Sequence, residues 1–256
     1  IVDEAAVFRN PSTNRYKVIR KFLAKNTETR LWLMTGTPTP NAPTDAWALA
    51  KLVESIHLKQ TYTAFREPES IEVVKHMLHP AVRYTRDECF DLPDTVFQTR
   101  KVELTTEQKQ HYQKMLRHFV TEMAEEGTIT AVNEAVKMQK LVQIACGVVY
   151  GDDGRHIELD CKPRVNLVKE VIEEVGNKVI VFVPLTGTLR MLEKELSQHW
   201  SVGVVNGEVS ATKRNEIFHN FQHTKEPHVL IAHPATMAHG LTLTAASTVV
   251  WYGPVT

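Results

Sequence analysis

The last third of the chain alternates between two hydrophobic periods, and this alternation constrains the fold more than any other feature of the sequence. Continuous apolar runs, such as residues 179–183, are typical of buried strands. Between these runs, apolar residues recur at helical spacing. Parallel strands joined by right-handed helical crossovers produce this order and leave helices on both faces of the sheet. We therefore predict an α/β fold from Lys162 onward, with strands over residues 179–183, 202–205, 228–232 and 248–252.

The first two thirds of the chain carry mostly helical patterns. Helices are predicted over residues 15–25, 44–56, 70–78 and 132–144, and a short buried strand over residues 30–34. In the first helix, Tyr16, Ile19, Phe22 and Leu23 are expected to share the apolar face, with the basic residues mostly elsewhere.

A longer helix is predicted to begin at Thr105, because Gln108 stands three residues further on and completes a capping box. Its apolar stripe runs from Tyr112 to Met123 and indicates a packing face rather than a cofactor site. Residues 147–154 are rich in Gly and Asp and predict a hinge or a domain boundary.

Composition narrows the class of protein. The 256 residues, 43% of them hydrophobic, suffice for one large domain or two small ones with a sizeable core. The formal net charge is zero, so any nucleic-acid-binding surface must be a local patch. No apolar run reaches the length of a membrane span, and no signal peptide is visible. The chain begins without Met inside a predicted strand, so we expect it to belong to a longer protein.

Cysteine and histidine usage argues against a structural zinc site and against a metal site built on histidines. The three cysteines are far apart and form no Cys-x-x-Cys pair, which favours a reduced, intracellular protein without structural zinc. His219 and His223 stand one helical turn apart and His228 follows, but no Cys or carboxylate completes a ligand set. A solvated helix edge is therefore the favoured interpretation of these histidines.

Two adjacent carboxylates, Asp3 and Glu4, follow two apolar residues at the start of the chain. If those apolar residues end a buried strand, the pair lies at its carboxyl end, where open α/β sheets place ligands. There Asp3 suits a hydrated Mg²⁺ on nucleotide phosphates, and Glu4 suits the orientation and deprotonation of an attacking water. An isolated Asp–Glu pair is more often a solvated loop, so the motifs downstream decide between the two interpretations.

Several further motifs follow in a fixed order along the chain. They are Val7-Phe-Arg-Asn10 directly after Asp3-Glu-Ala-Ala6; Leu33-Met-Thr-Gly-Thr-Pro38 with Asn41 and Trp47; Arg83-Tyr-Thr-Arg86, Asp91-Leu-Pro93 and Val102-Glu-Leu-Thr105 with Gln108 and Tyr112; Gln139-Lys-Leu141 with Gln143 and Ile144; residues 178–192; Asn206-Gly207 with Arg214; and Gly240-Leu-Thr-Leu243. In this order they resemble the Swi/Snf-related ATPases of helicase superfamily two, which are double-stranded-DNA translocases. The pattern from Arg83 to Tyr112 is the most specific part of the resemblance.

The resemblance implies an α/β fold of two RecA-like lobes of the P-loop NTPase type, each a parallel sheet with flanking helices, the first lobe being incomplete. Residues 1–104 would be the C-terminal half of lobe one, residues 105–155 a helical segment and hinge, and residues 156–256 lobe two up to the sixth motif. ATP with Mg²⁺ and double-stranded DNA are the implied ligands, and ATP hydrolysis would be coupled to movement along the duplex.

The resemblance also implies roles for individual residues. Asp3 would hold Mg²⁺ through water, Glu4 would activate water, and Thr35, Gly36 and Thr37 would couple nucleotide to DNA. Gly240 would lie on the nucleotide side of the cleft. The implied DNA-contacting residues are Thr186, Asn206, Gly207, Thr236, His239 and Thr242. Short polar groups at strand ends suit phosphate contacts, but capping and turn roles are equally compatible. Arg214 suits an ion pair within its lobe as well as a ligand contact.

The chain departs from the family pattern in several places. Ala6 replaces a His or Gln, and Thr242 stands where Asn is frequent. No Gly-rich phosphate loop with its Lys is present, and the sixth motif with its arginine fingers would follow Tyr252. We therefore expect that these 256 residues alone do not hydrolyse ATP, whereas the parent protein does.

Two other functions remain open at this point. One is a DNA- or protein-binding module that kept the motor fold but lost catalysis, which Ala6 favours. The other is a strand-separating or RNA-directed helicase of the same superfamily. The absence of recognisable chromatin-reading modules favours a prokaryotic or viral source and a cytoplasmic location.

Overall fold

The computed structural model describes residues 1–42, 44–53, 81–89, 91, 94–126, 131–151, 155–237 and 241–254. It divides the chain into two compact units, Ile1–Val96 and Phe97–Thr256. The predicted helix at 70–78 lies outside the described residues, as do His239 and Gly240.

The first unit contains a short 3-10 helix (Ala5–Phe8) followed by α1 (Asn14–Lys25), α2 (Thr44–Val53) and α3 (Arg86–Cys89). The Thr13 hydroxyl caps α1 by accepting the Tyr16 N–H at 3.4 Å. Tyr16 is buried against Ala48 and Leu52 of α2, which ties the two helices together. The helices predicted at 15–25 and from residue 44 are confirmed, but the apolar-face assignment of Phe22 is wrong, because its side chain is 55% exposed.

The strand predicted over residues 30–34 is also wrong in extent. Only Leu33 forms a β-bridge, which is parallel and pairs with Val2. The segment is extended, so alternate side chains face opposite ways: Leu31 and Leu33 pack against the core, whereas Trp32 and Met34 are 69% and 53% exposed. One bridging residue does not form a strand of several paired residues. The apolar run alone therefore predicted a longer strand than the structure contains.

The second unit is built on a four-stranded sheet with helices before and between its strands. Its helices are α4 (Thr106–Glu126), α5 (Ala131–Cys146), α6 (Lys162–Val175), α7 (Thr186–Leu196) and α8 (Ala211–His223). Its strands are β1 (Val148–Tyr150), β2 (His156–Glu158), β3 (Lys178–Phe182), β4 (Val202–Val205), β5 (Val229–Ala232) and β6 (Ala246–Trp251).

The sheet runs in the order β4-β5-β3-β6, and every neighbouring pair is parallel. One core cluster packs α6 and α7 against the sheet through residues such as Ile172 and Leu192, and a second packs α8 through Phe218 and Phe221. The predicted parallel α/β fold with flanking helices is thus confirmed.

The first turn of α4 is hydrogen-bonded to the C-terminal end of α5. Gln108 is 2% exposed, and its Oε1 accepts the Thr105 N–H at 3.1 Å, while its Nε2 donates to the carbonyls of Ile144 and Ala145 at 2.8 and 3.3 Å. The Thr105 hydroxyl in turn accepts the Gln108 N–H at 3.2 Å, so the predicted capping box is confirmed. One side chain therefore joins the start of α4 to the end of α5.

Part of the predicted hinge at 147–154 is a strand instead. Val148–Tyr150 pairs antiparallel with His156–Glu158, because two β-branched residues and a tyrosine favour an extended conformation here. The Tyr150 hydroxyl accepts the Gly187 N–H at 2.7 Å and so binds the first turn of α7. Within the described residues, no helix is both long and apolar enough to cross a membrane.

Candidate functional site

Three backbone hydrogen bonds in the first unit bring its two predicted motifs side by side. The Val2 N–H donates to the Trp32 carbonyl and the Met34 N–H donates to the Val2 carbonyl, each at 2.8 Å. The Ala5 N–H then donates to the Met34 carbonyl at 2.9 Å. Asp3 and Glu4 therefore lie directly beside the segment that continues into Thr35.

The backbone at the carboxylate pair is strained. Asp3 Oδ1 accepts the Glu4 N–H at 2.8 Å, and Glu4 has φ 50° and ψ 44°, in the left-handed region. It is the one non-glycine residue with positive φ in the part of the chain that the structure describes. Such conformations cost roughly 1–3 kcal/mol and are concentrated at ligand-binding and catalytic sites. Both carboxylates are exposed, so they are accessible to a ligand.

The loop after Met34 is fixed at both ends. The Thr35 hydroxyl accepts the Thr37 N–H at 3.3 Å, and Asp45 Oδ2 accepts the N–H groups of Asn41 and Ala42 at 2.9 and 3.2 Å. Gly36 would accept a Cβ without a close contact, so its absence of a side chain is not a packing requirement. Within this loop Thr35 is half-buried and Thr37 is exposed, and Thr35 directly follows Met34, whose backbone bonds to Val2 and Ala5 on either side of the carboxylate pair.

The first unit fits a hydrated Mg²⁺ better than a protein-enclosed metal. No group of three His, Cys, Asp or Glu able to hold a metal exists among the residues that the structure describes. Protein sites for Mg²⁺ commonly use one or two carboxylates and leave the other positions to water and substrate phosphates. Asp3 is exposed and uses only Oδ1 in the Glu4 contact, so it is suited to that role.

In the second unit, three predicted residues lie at the carboxyl edge of the sheet. Thr186 follows β3 as the first residue of α7, Asn206 follows β4, and Thr236 follows β5 in a short 3-10 helix. Carboxyl ends of parallel strands share one edge, so the fold brings these residues to the same side. Thr242 is exposed and lies in the segment 241–245, which leads into β6.

Two of these edge residues are engaged in local turns. Asn206 is 6% exposed, and its Oδ1 accepts the Glu208 N–H at 3.0 Å. The Thr236 hydroxyl donates to the His233 carbonyl at 2.6 Å. Thr186, in contrast, is half-buried with no side-chain hydrogen bond within the described residues, and Gly207 is exposed. Thr186 is therefore the most available of the predicted edge residues for a ligand.

The ion pair between Arg190 and Glu208 links α7 to the loop after β4 at this edge, and the sequence alone does not predict it. Arg190 Nη2 on α7 donates to both oxygens of Glu208, at 2.9 and 2.8 Å, and the Arg190 guanidinium lowers the pKa of Glu208. Arg214, for which an ion pair or a ligand contact was open, is half-buried and makes no ion pair within the described ranges.

Comparison with known protein families gives matches along nearly the whole chain. Residues 1–148 match the SNF2-related domain, and residues 163–256 match the Helicase conserved C-terminal domain. The chain belongs to the SNF2-related family. The predicted resemblance to helicase superfamily two is thereby confirmed.

Two relatives illustrate the place of this SNF2-related chain. Protein p41 of Acyrthosiphon pisum secondary endosymbiont phage 1 is 25% identical over 82% of the chain and 48% of its own length. An uncharacterised ATP-dependent helicase of Mycoplasma genitalium is 26% identical over 98% of the chain and 25% of its own length. The chain thus spans about half, or less, of the length of these relatives.

Solved structures agree on the fold. The Sulfolobus solfataricus SWI2/SNF2 ATPase core in complex with dsDNA is 20% identical and has a TM-score of 0.52. That match covers 98% of this chain and 56% of the archaeal one. The same core without DNA in its description gives a TM-score of 0.51 at 21% identity, over 98% and 55% of the two chains. The SNF2-related chain therefore has the RecA-like fold of a Snf2 ATPase core.

Proposed function

We propose that the protein containing this chain is an ATP-dependent translocase of double-stranded DNA. The observation that supports this most directly is the bridge between Val2 and Leu33, beside which lie two exposed carboxylates and the Thr35 loop. The family membership and a relative described as an ATP-dependent helicase support ATP as the nucleotide. A structural neighbour solved with double-stranded DNA supports duplex DNA as the nucleic acid along which the protein moves.

In this proposal the carboxylate pair divides two tasks. Bound Mg²⁺ and ATP would supply a reactive γ-phosphate with part of its negative charge neutralised. Asp3 would hold the hydrated cation through water, and the exposed Glu4 carboxylate would orient a water molecule and accept its proton. The left-handed backbone at Glu4 gives its side chain a different direction from that of a residue continuing an extended strand.

The same proposal gives roles to the Thr35 loop (residues 35–37) and to the polar sheet edge, which is formed by Thr186, Asn206 and Thr236. Thr35 and Thr37 hydroxyls exchange hydrogen-bond partners as ligands bind. This is feasible because, among the described residues, the Thr35 hydroxyl only accepts the Thr37 N–H at 3.3 Å and the Thr37 hydroxyl makes no hydrogen bond. At the second unit, the Thr186 hydroxyl contacts DNA phosphate without reading sequence, as a translocase requires. Asn206 and Thr236 stabilise the turns that present this edge.

The test is the ATPase rate of the full-length protein with duplex DNA, single-stranded DNA, RNA or no nucleic acid. We expect duplex DNA to stimulate the rate several-fold and Glu4→Gln to abolish it. Glu28→Gln is the matched control, since Glu28 is an exposed carboxylate of the same unit with no ion pair among the described residues, and it should leave the rate unchanged. We also expect the 256 residues alone to be inactive, because they contain no Gly-rich phosphate loop with a Lys.

A binding module without catalysis is the second candidate, and Ala6 is the observation that favours it. Ala6 is half-buried in the 3-10 helix directly after Glu4 and has no polar group to offer a nucleotide. A full-length protein that binds duplex DNA but hydrolyses no ATP would establish this alternative. Stimulation by single-stranded DNA or RNA rather than by duplex would instead identify a strand-separating or RNA-directed helicase.

A further inference from the structure

The stretch that contains α1 is strongly basic in a chain that is neutral overall. Residues 5–27 carry six Lys or Arg side chains and no Asp or Glu, whereas the whole chain has 30 of each sign. Five of the six lie on α1, and all five are exposed: Arg15, Lys17, Arg20, Lys21 and Lys25. No ion pair within the described residues involves any of them. The charge neutrality of the chain therefore conceals a local patch of one sign.

The orientation of α1 exposes this charge. Tyr16, Ile19 and Leu23 face the core of the first unit, so the opposite side of the helix faces solvent. Lys17 and Lys21 are four residues apart, as are Lys21 and Lys25, so the three form one ridge about 12 Å long. Like charges at this spacing destabilise a helix, and an anion lying along the ridge relieves that repulsion.

We propose that the outward face of α1 is a contact surface for the phosphate backbone of duplex DNA, additional to the Thr35 loop and the polar sheet edge. This inference rests on the proposed function, which supplies the duplex. A B-form duplex carries one negative charge per about 1.7 Å of its axis, so a 12 Å ridge of three lysines faces several phosphates. Such contacts hold the duplex without reading its sequence, which suits continuous movement along it.

Other anionic partners fit the helix less well. A helix that binds a membrane surface inserts its apolar face, but the apolar face of α1 is buried within the unit. Protein–protein interfaces are depleted in lysine, whereas interfaces with DNA are much more positively charged. Val18 and Phe22 are exposed between the cations, but two neighbouring apolar side chains are ordinary on a protein surface.

The test replaces Lys17, Lys21 and Lys25 by glutamine in the full-length protein and measures duplex DNA binding between 50 and 200 mM salt. Each lost phosphate contact reduces the slope of log K against log salt by about 0.9, so three contacts reduce it by about 2.7. The decrease in affinity over this fourfold salt range should then be about 40 times smaller than in the wild type. Glutamine is a good helix former, so α1 should persist.

The matched control is a triple glutamine variant of Lys101, Lys194 and Lys225, which are exposed lysines of the second unit without an ion pair among the described residues. It has the same net charge change, and it should keep the wild-type slope. A wild-type slope in the α1 variant would overturn the inference while leaving the proposed function intact. Lost binding to phosphatidylserine vesicles with unchanged DNA binding would also overturn it. A wild type that does not bind duplex DNA at all would refute the proposed function itself.

Discussion

Replacing Gln108 by alanine should destabilise the second unit more than any exposed substitution, because one buried amide serves three backbone groups. The change removes the donors to the carbonyls of Ile144 and Ala145 and the acceptor for the Thr105 N–H. The bond to Ile144 is fully buried, and leaving such a carbonyl unpaired costs about 1–3 kcal/mol. The lost capping interaction at Thr105 adds about 1 kcal/mol.

Together these losses amount to about 2–4 kcal/mol, before any cavity is counted. For a unit of this size, 1 kcal/mol shifts the Tm by about 2–4 °C, so we expect a decrease of about 10 °C. Thermal unfolding of the chain followed by circular dichroism measures this shift. Gln198→Ala is the matched control, since Gln198 is exposed and, among the described residues, its side chain makes only a 3.4 Å bond to the Lys194 carbonyl. A shift for Gln108→Ala no larger than that of the control would refute the reasoning.

Gln108→Glu sharpens the same prediction through its pH dependence. A carboxylate at this position could still accept from Thr105, but it would face the carbonyls of Ile144 and Ala145. Burial and the facing carbonyls raise the pKa of the introduced carboxyl above its unfolded value of about 4.3. Its protonated form fits the site, so stability is retained below that value and is lost as pH rises through the folded pKa. The variant should melt lower at pH 8 than at pH 5, relative to wild type.

Three further substitutions test other parts of the structure. Glu4→Gly should relieve the strain of the left-handed backbone, so chemical denaturation should show the first unit stabilised by about 1 kcal/mol. Glu4→Ala is the control and should give no such gain, since alanine retains a Cβ. Gly147→Ala should prevent stable folding of the second unit, because its Cβ would overlap Cys161 Sγ at a φ of +88°; a soluble variant with native circular dichroism would contradict this. Burial raises the pKa of Cys161 and, more strongly, of Tyr252, so stability should be full below pH 9 and decrease as pH rises further. Tyr252→Phe should weaken that alkaline decrease, which denaturant titrations at pH 8 and 10.5 measure.

Local periodicity predicts the second unit well, because a strand or helix that packs on both sides carries its own pattern. The run at 179–183 needed no knowledge of its partners, since β3 is paired on both sides and its residues are largely buried. The run at 30–34 is also mostly apolar but has only one bridging residue, because an apolar run by itself does not show how many strands will pair with it. The capping box at Thr105 was also predictable from local sequence, because its two partners are three residues apart.

Contacts between distant residues were not predictable from one sequence. The Tyr150 hydroxyl reaches Gly187 across 37 positions, and nothing around Tyr150 distinguishes it from other strand tyrosines. Arg190 and Glu208 stand 18 positions apart on different elements. The positive φ of Glu4 was equally hidden, since the sequence there gives a carboxylate, not a turn residue. These features depend on tertiary packing, which overrides local propensity.

The residues that identify the family and the residues that would carry its chemistry are different sets in this chain. The pattern from Arg83 to Tyr112 is the most specific part of the resemblance, yet two of its residues, Thr105 and Gln108, form the capping box of α4, and Gln108 also joins α4 to the end of α5. That pattern is therefore evidence for the fold, and substitutions there should lower stability before they affect catalysis. The proposed activity depends instead on Asp3 and Glu4, which by themselves are an unremarkable pair of exposed carboxylates. Only the Val2–Leu33 bridge, which places them beside the Thr35 loop, gives the pair a chemical context.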